Sequence, residues 1–318
     1  VKAAIRSKYG PPEVLTIAEL EMPTPKGNQL LIRVYATTVN RTDCHVLLGK
    51  PYFMRLFTGL VKPRLASTGS DFVGQIVAVG NAVRNFSPGE RVMGFGGVFG
   101  CGSHRQFIVF AETRPLIRIP DNLSYEEAVA CIEGPLYAYG NLRLNIQPGD
   151  KVLVIGATGA IGSSLVQLLK FIGAHITATC RQKDMELVKS LGADTIIDYT
   201  TNNFTKTHAT YDFIFDAVGK SSYAACKALL KPKGVYNSAH PSLAQTILTA
   251  LKGGKREVFL PIPDFKAGLR FITPLIIEGR FRPVIDRKYP LKDIVEAYHY
   301  VATAQKVGNV LLIMDGGM

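Results

Sequence analysis

The chain has 318 residues, 47% of them apolar, a formal net charge of +12 and five cysteines, enough material for about two domains with buried cores. No stretch reaches the ~18 uninterrupted apolar residues that cross a bilayer, no charged-then-apolar leader opens the chain, and the odd, widely spaced cysteines form no C-x-x-C pair; a membrane-spanning protein and a disulfide scaffold are excluded, and a cytoplasmic protein with no membrane partner is expected. The positive charge is scattered, without a basic tail or aromatic–basic interleaving, so nucleic acid is not the expected partner.

Residues 1–123 are strand-like and punctuated by Gly and Pro. QLLIRVYATTV (29–39) and FVGQIVAVG (72–80) carry β-branched runs, and SPGERVMGFGG (87–97) reads as turn, strand, turn. This pattern predicts a mostly antiparallel, barrel-like unit. Within it, VNRTDCHVLLG (39–49) holds Cys44, His45 and Asp43 together. Read as strand or turn, it makes the adjacent Cys44 and His45 project apart, which disfavours one shared metal.

At Ser124 the pattern changes. Ser124 and Glu127 form a capping box, and a helix is expected to run toward Leu144. Residues 151–260 then alternate. KVLVIG (151–156), HITATC (175–180), DTIID (194–198), YDFIFDAVG (211–219) and GVYNSA (234–239) read as strands. AIGSSLVQLLKFIG (160–173), KDMELVKSLG (183–192) and SYAACKALLK (222–231) read as helices. Strand–helix alternation at this spacing predicts a doubly wound parallel sheet. Near the end, LKDIVEAYHYVAT (291–303) is amphipathic and GNVLLIMD (308–315) is a strand with no helix after it, so the C-terminus is expected to return to the first domain. The expected division is 1–123 with 269–318, and 124–268.

Gly156-Ala157-Thr158-Gly159-Ala160-Ile161-Gly162 sits between a buried strand and a helix. In that setting the first glycine turns the chain, the second lets backbone amides approach a diphosphate, and the third lets helix and sheet pack closely. The helix N-terminus favours the anion. The second strand ends Thr179-Cys180-Arg181-Gln182-Lys183. A carboxylate there would accept from a ribose 2′-hydroxyl. Two cations suit a 2′-phosphate, so NADPH is expected in preference to NADH. Asp216, Val218 and Gly219 end a further strand at the carboxyl edge, where ligands of such sheets bind.

VKAAI (1–5), YGPPEVL (9–15), FVGQIVAVG, PGERV (88–92) and GATGAIG together resemble the medium-chain dehydrogenase/reductase superfamily over essentially the whole length. The resemblance implies a Rossmann domain, a GroES-like catalytic domain and a homodimer. It also implies that Tyr199 lies near the adenosine phosphate and Asn309 near the nicotinamide end. Zinc-dependent members carry C-x-T-D-x-H, G-H-E and four clustered cysteines. Here the first position is Asn40, the second segment is Gly69-Ser70-Asp71, and one cysteine follows Arg91-Val92. Soft ligands are missing, and no metal is expected. The chain is more similar to the zinc-independent, quinone oxidoreductase-like branch. Its N-P-x-D segment is matched by Asn40-Arg41-Thr42-Asp43, with Arg41 in place of Pro.

The function this implies is hydride transfer from NADPH to a quinone or an α,β-unsaturated carbonyl, a small hydrophobic acceptor. Asn40 is expected to donate to the developing oxyanion, with His45 and Tyr52 as proton donors. An NAD(P)-dependent alcohol or carbonyl dehydrogenase is the enzymatic alternative. A low-turnover NADPH-binding interaction protein is the alternative of another class.

Overall fold

QLLIRVYATTV forms one strand, Gln29–Val39, and the first half of the molecule is built on it. One edge pairs antiparallel with Asp71–Val79. The other pairs antiparallel with Phe107–Ala111 and Asn309–Ile313. Arg91–Phe95 and Leu116–Arg118 extend the sheet, and Ile285–Pro290 joins it as the one parallel neighbour, completing seven strands among the described residues. Leu30, Ile32 and Val34 alternate inward, as a two-residue period requires. Phe72 meets Phe110 edge to face at 4.9 Å.

The structure, a computed structural model, describes residues 1–97, 99–239, 243–252, 254–258 and 264–314. It divides into two units. One comprises Val1–Glu133, Phe265–Ile277 and Val284–Met318; the other comprises Gly134–Asp264 and Glu278–Pro283. The sequence reading placed the first boundary at 123/124. Helix Tyr125–Ala130 instead groups with the first unit, because it packs on Gln29–Val39 and Asp71–Val79.

The second unit is a six-stranded sheet in which every pairing is parallel. Its spatial order is Thr195–Asp198, His175–Cys180, Lys151–Ile155, Tyr211–Asp216, Leu230–Ser238, Arg256–Val258. In chain order this is the 3-2-1-4-5-6 arrangement of dinucleotide-binding sheets. Val152, Leu153 and Val154 are all fully buried, which is why the strand reads as an unbroken apolar run.

Two local readings change. VNRTDCHVLLG is not strand or turn but a helix, Arg41–Leu48, with Asn40 as N-cap and Asp43 closing a reciprocal capping box. Gly49 ends it in the left-handed conformation. The helix expected from Ser124 to Leu144 is broken into Tyr125–Ala130, Glu133–Asn141 and a short 3-10 turn, Leu142–Leu144. Pro135 cannot donate to the residue 131 carbonyl, so the first helix stops and a second starts with proline in its first turn. All five cysteines are free, and no described helix is long and apolar enough to cross a membrane.

The Ser124 hydroxyl accepts from the Glu127 amide at 3.2 Å, and the Glu127 carboxylate accepts from the Ser124 amide at 3.1 Å. Ser124→Ala should therefore cost about 1 kcal/mol. In urea unfolding, the Ser124→Ala/Glu127→Ala double variant should lose less than the sum of the two single variants, because each side chain needs the other.

Candidate functional site

In the second unit, Gly156 leaves the first parallel strand at φ +78°. Its amide donates to Thr179 Oγ1 at 3.1 Å, and the Ala157 amide donates to the Thr179 carbonyl at 3.1 Å. Thr179 thus fixes the turn against the neighbouring strand. A Cβ on Gly162 would lie 2.1 Å from the Gly156 carbonyl, whereas one on Gly159 would meet nothing nearer than 3.9 Å. The third glycine is required by packing; the second leaves room above the backbone. Gly159 is the N-cap of helix Ala160–Ile172 and brings no capping side chain. The first amides of that helix, on Ala160, Ile161 and Gly162, lack intrahelical acceptors, and Thr158 flanks them. This is an anion cradle.

Arg181 follows the same strand by one residue, and its Nε donates to the Tyr199 hydroxyl at 2.9 Å. The structure therefore brings together the two residues expected at the adenosine phosphate. Lys183 is exposed on the next 3-10 turn. The Cys180 side chain is buried and its thiol is pushed up to about 11, mainly by burial; it packs in the core and presents no ligand.

The Asp216 carboxylate serves its own turn. Oδ1 accepts from the Val218 amide at 3.2 Å and the Gly219 amide at 2.8 Å, and Oδ2 accepts from the Ser221 amide at 2.7 Å. It is a positioning group for the loop. Val218 is part of the cradle wall, 2.6 Å from where a Gly156 Cβ would be. Asn309 belongs to the first unit. Its amide donates to the carbonyls of Ala130 at 3.2 Å and Val284 at 3.0 Å, so both amide hydrogens are committed to backbone.

In the first unit, a buried polar group forms around Asn40. Its Oδ1 accepts from the Asp43 amide at 3.0 Å, which fixes the orientation of the amide. Nδ2 then faces Thr38 Oγ1 at 3.2 Å, Ser70 Oγ at 3.2 Å and the Glu133 carboxyl. Ser70 Oγ donates to the same Glu133 oxygen at 2.7 Å. Beside them, Asp71 accepts from the Thr38 amide at 2.8 Å and the Thr38 hydroxyl at 2.6 Å. His104 Nε2 donates to the Thr38 carbonyl at 3.0 Å, and Nδ1 accepts from the Thr68 hydroxyl at 2.8 Å.

Burial dominates the electrostatics. It pushes Glu133 up to about 7, with Asp71 adding in the same direction, and Asp71 up to about 6. Asp43 is also raised, by burial and then by Glu133 and Asp71. His104 is held neutral, lowered to about 4 by burial. Half-buried Lys306, whose Nζ donates to the Gly308 carbonyl at 2.5 Å, is lowered to about 8 by burial, which the nearby Glu133 partly offsets.

Of the three residues expected to do the chemistry, the structure builds Asn40 into this group. His45 is half-buried in the last turn of helix Arg41–Leu48. Tyr52 is 67% exposed, beneath the cationic ends of Lys50 and Arg55. Sequence reasoning missed Glu133 and Lys306. A signal for Glu133 was available: it is a lone acid inside the apolar run AVACIEGPLYAY, where a charge is seldom buried without a purpose. Lys306 carries no such signal.

Residues 26–121 match a family model described as "Alcohol dehydrogenase GroES-like domain", and residues 191–312 match one described as "Zinc-binding dehydrogenase". The chain is 28% identical to "Quinone-oxidoreductase QR1, chloroplastic" from Triphysaria versicolor, over 92% of each chain. It is 29% identical to "NADPH-dependent alkenal/one oxidoreductase, chloroplastic" from Arabidopsis thaliana, over 98% of this chain and 79% of the relative. The fold is shared with the quinone oxidoreductase structure from Coxiella burnetii, at a TM-score of 0.87, 24% identity and 98% coverage of both chains.

The zinc that one of these descriptions implies does not fit the residues present. Asn40 turns its donor nitrogen toward Glu133, Ser70 donates to Glu133, and the Asp71 oxygens are taken by Thr38. Among the described residues no group of three or more His, Cys, Asp or Glu could hold a metal ion, and even a catalytic zinc, whose fourth position is water, takes three such ligands.

A carboxyl raised in the fold stabilises most below its unfolded pKa, and that stability is lost as the pH rises through the folded value. Replacing Glu133 by Gln removes this loss while keeping an acceptor oxygen. The difference in unfolding free energy between wild type and Glu133→Gln should shift toward the variant by roughly 1–3 kcal/mol from pH 4.5 to pH 8. Comparing the two proteins cancels the opposing titration of His104. A pH-independent difference would mean that folding does not raise the Glu133 carboxyl.

Proposed function

We propose that this chain, which belongs to the medium-chain dehydrogenase/reductase superfamily, is an NADPH-dependent oxidoreductase of quinones or α,β-unsaturated carbonyls. The observation that carries the reading is the cradle: an uncapped helix N-terminus, a glycine with open space above it, and Arg181 with Tyr199 beyond the neighbouring strand. The relatives named as a quinone oxidoreductase and as an NADPH-dependent alkenal/one oxidoreductase support it.

NADPH, when bound, supplies the hydride. The amides of Ala160, Ile161 and Gly162 would hold its diphosphate, and Arg181 would pair with the 2′-phosphate by charge-assisted hydrogen bonds. A conjugated acceptor that takes a hydride is left with an anionic oxygen. In the first unit, Asn40 and Ser70 are donors of the kind that stabilises such an oxygen, and Glu133 holds a proton of the kind that neutralises it, its carboxylate then being reprotonated from solvent. No lone-pair cage for a metal is needed, because the conjugated system delocalises the charge that a metal would otherwise stabilise.

The direct test is NADPH oxidation by the purified protein against quinones, enals and enones, with saturated aldehydes and alcohols as controls and metal content measured on the same sample. Turnover of the conjugated acceptors alone supports the reading. Turnover of simple alcohols only after zinc is added would overturn it.

Arg181→Ala should raise the KM for NADPH by about 10- to 100-fold, the value of a charge-assisted contact, and leave the KM for NADH nearly unchanged. Gly159→Ala should keep the wild-type melting temperature, since its Cβ finds open space, yet weaken NADPH at least about tenfold by occupying the diphosphate approach. With Glu133 as proton source, kcat should fall above pH ~7 in wild type, and Glu133→Gln should be slower and flat across that range.

A further inference from the structure

The segment Tyr52–Leu65 presents apolar side chains outward on a fixed base. Tyr52, Phe53, Leu56, Phe57, Leu60 and Val61 are all more than half exposed, Val61 at 89%. Isolated exposed apolar residues need no explanation, but six within ten positions do. The underside is anchored. The Tyr9 hydroxyl donates to the Gly59 carbonyl at 2.6 Å and lies 2.8 Å from Thr58 Oγ1. The Arg64 amide donates to the Thr58 carbonyl at 2.7 Å, and Met54 is buried. The outward face is thus a built surface.

Its rim is cationic throughout. Lys50, Lys62 and Arg64 flank the apolar residues, Arg55 lies over the Tyr9 ring at 4.5 Å with its Nε donating to the Gly49 carbonyl at 3.2 Å, and residues 44–70 contain no Asp or Glu. Among the described residues none of these four cations forms an ion pair, and Lys50 and Arg55 lie over the Tyr52 ring at 5.9 and 5.2 Å. A second copy of the patch would bring four cations against four cations, and a neutral protein surface would leave them unmatched. Aromatic and aliphatic side chains surrounded by Lys and Arg are the composition that inserts at the headgroup level of an anionic bilayer.

We propose that the Tyr52–Leu65 segment docks the protein on an anionic lipid surface, with the apolar side chains entering the acyl boundary and Lys50, Lys62 and Arg64 meeting lipid phosphates. The sequence led to the expectation of no membrane partner, on the ground that no segment spans a bilayer; the contact proposed here is peripheral and departs from that expectation. Binding does not depend on the oxidoreductase reading, so either can fail without the other.

The test is co-sedimentation of the full chain with vesicles of phosphatidylcholine alone and of phosphatidylcholine mixed with phosphatidylglycerol. Binding to the mixed vesicles should exceed binding to the neutral ones at least about tenfold and weaken with salt. Lys62→Glu/Arg64→Glu should abolish that preference, and Leu60→Ser/Val61→Ser should weaken binding about tenfold, both with wild-type melting temperatures. Equal partitioning between the two vesicle types, no binding to either, or binding untouched by both double variants would overturn the proposal. So would a dimer in sedimentation velocity that Leu60→Ser/Val61→Ser dissociates, since the patch would then belong to a second copy.

Discussion

One buried amide ties the first unit together. Asn40 accepts from the helix that follows it through Oδ1 and turns the two hydrogens of Nδ2 toward groups on three other segments: Thr38 on the long strand, Ser70 before the next strand, and Glu133 at the start of a helix. A buried amide left without partners costs a few kcal/mol, so each of these segments is held in register with the others. The same network removes water from the Glu133 and Asp71 carboxyls, and that loss of hydration raises both, Glu133 to about 7 and Asp71 to about 6. Structural constraint and chemical capacity therefore have one origin. A hydrocarbon core could fix the same backbone, but it could not hold a proton.

The second unit is arranged for a different problem under the proposed function, the approach of a doubly charged group to backbone. Burying cations would do it at a high desolvation cost. The chain instead presents unpaired amides at a helix start, and removes the side chains that would stand in the way. Gly162 draws the helix against the strand and Gly159 leaves the space open, while Thr179 locks the turn from the adjacent strand. Asp216, which looks like a ligand in the sequence, spends both carboxylate oxygens on its own loop. Its contribution is to the shape of the wall that includes Val218.

Reading the sequence recovered the parallel sheet almost strand for strand, because hydrophobic runs buried on both faces and the glycine spacing are local patterns. Arg181 was singled out by its position at a strand end and Tyr199 through resemblance, and the structure joins the two by a hydrogen bond. The helix at Arg41–Leu48 was not read from the sequence, although Asn40 and Asp43 three residues apart are a capping signal. Cys44 is in fact a buried thiol pushed up to about 12 by burial and by Asp43, with the properties of a small apolar side chain. The break in the helix at Cys131–Ile132 was legible too, from Pro135, but propensity over the whole run hid it.

What the sequence by itself determined is the set of short-range choices: where strands and helices form, and where the chain must turn through glycine. These follow from periodicity, capping and backbone sterics, which act over a few residues. Only the tertiary structure decided that Asn40, Ser70 and Glu133, up to 93 positions apart, share one desolvated group, and that Phe53 and Leu56 face outward beside unmatched cations. Burial is a property of the packed chain, not of a residue, and it is burial that sets both a carboxyl's proton affinity and the fate of an apolar side chain.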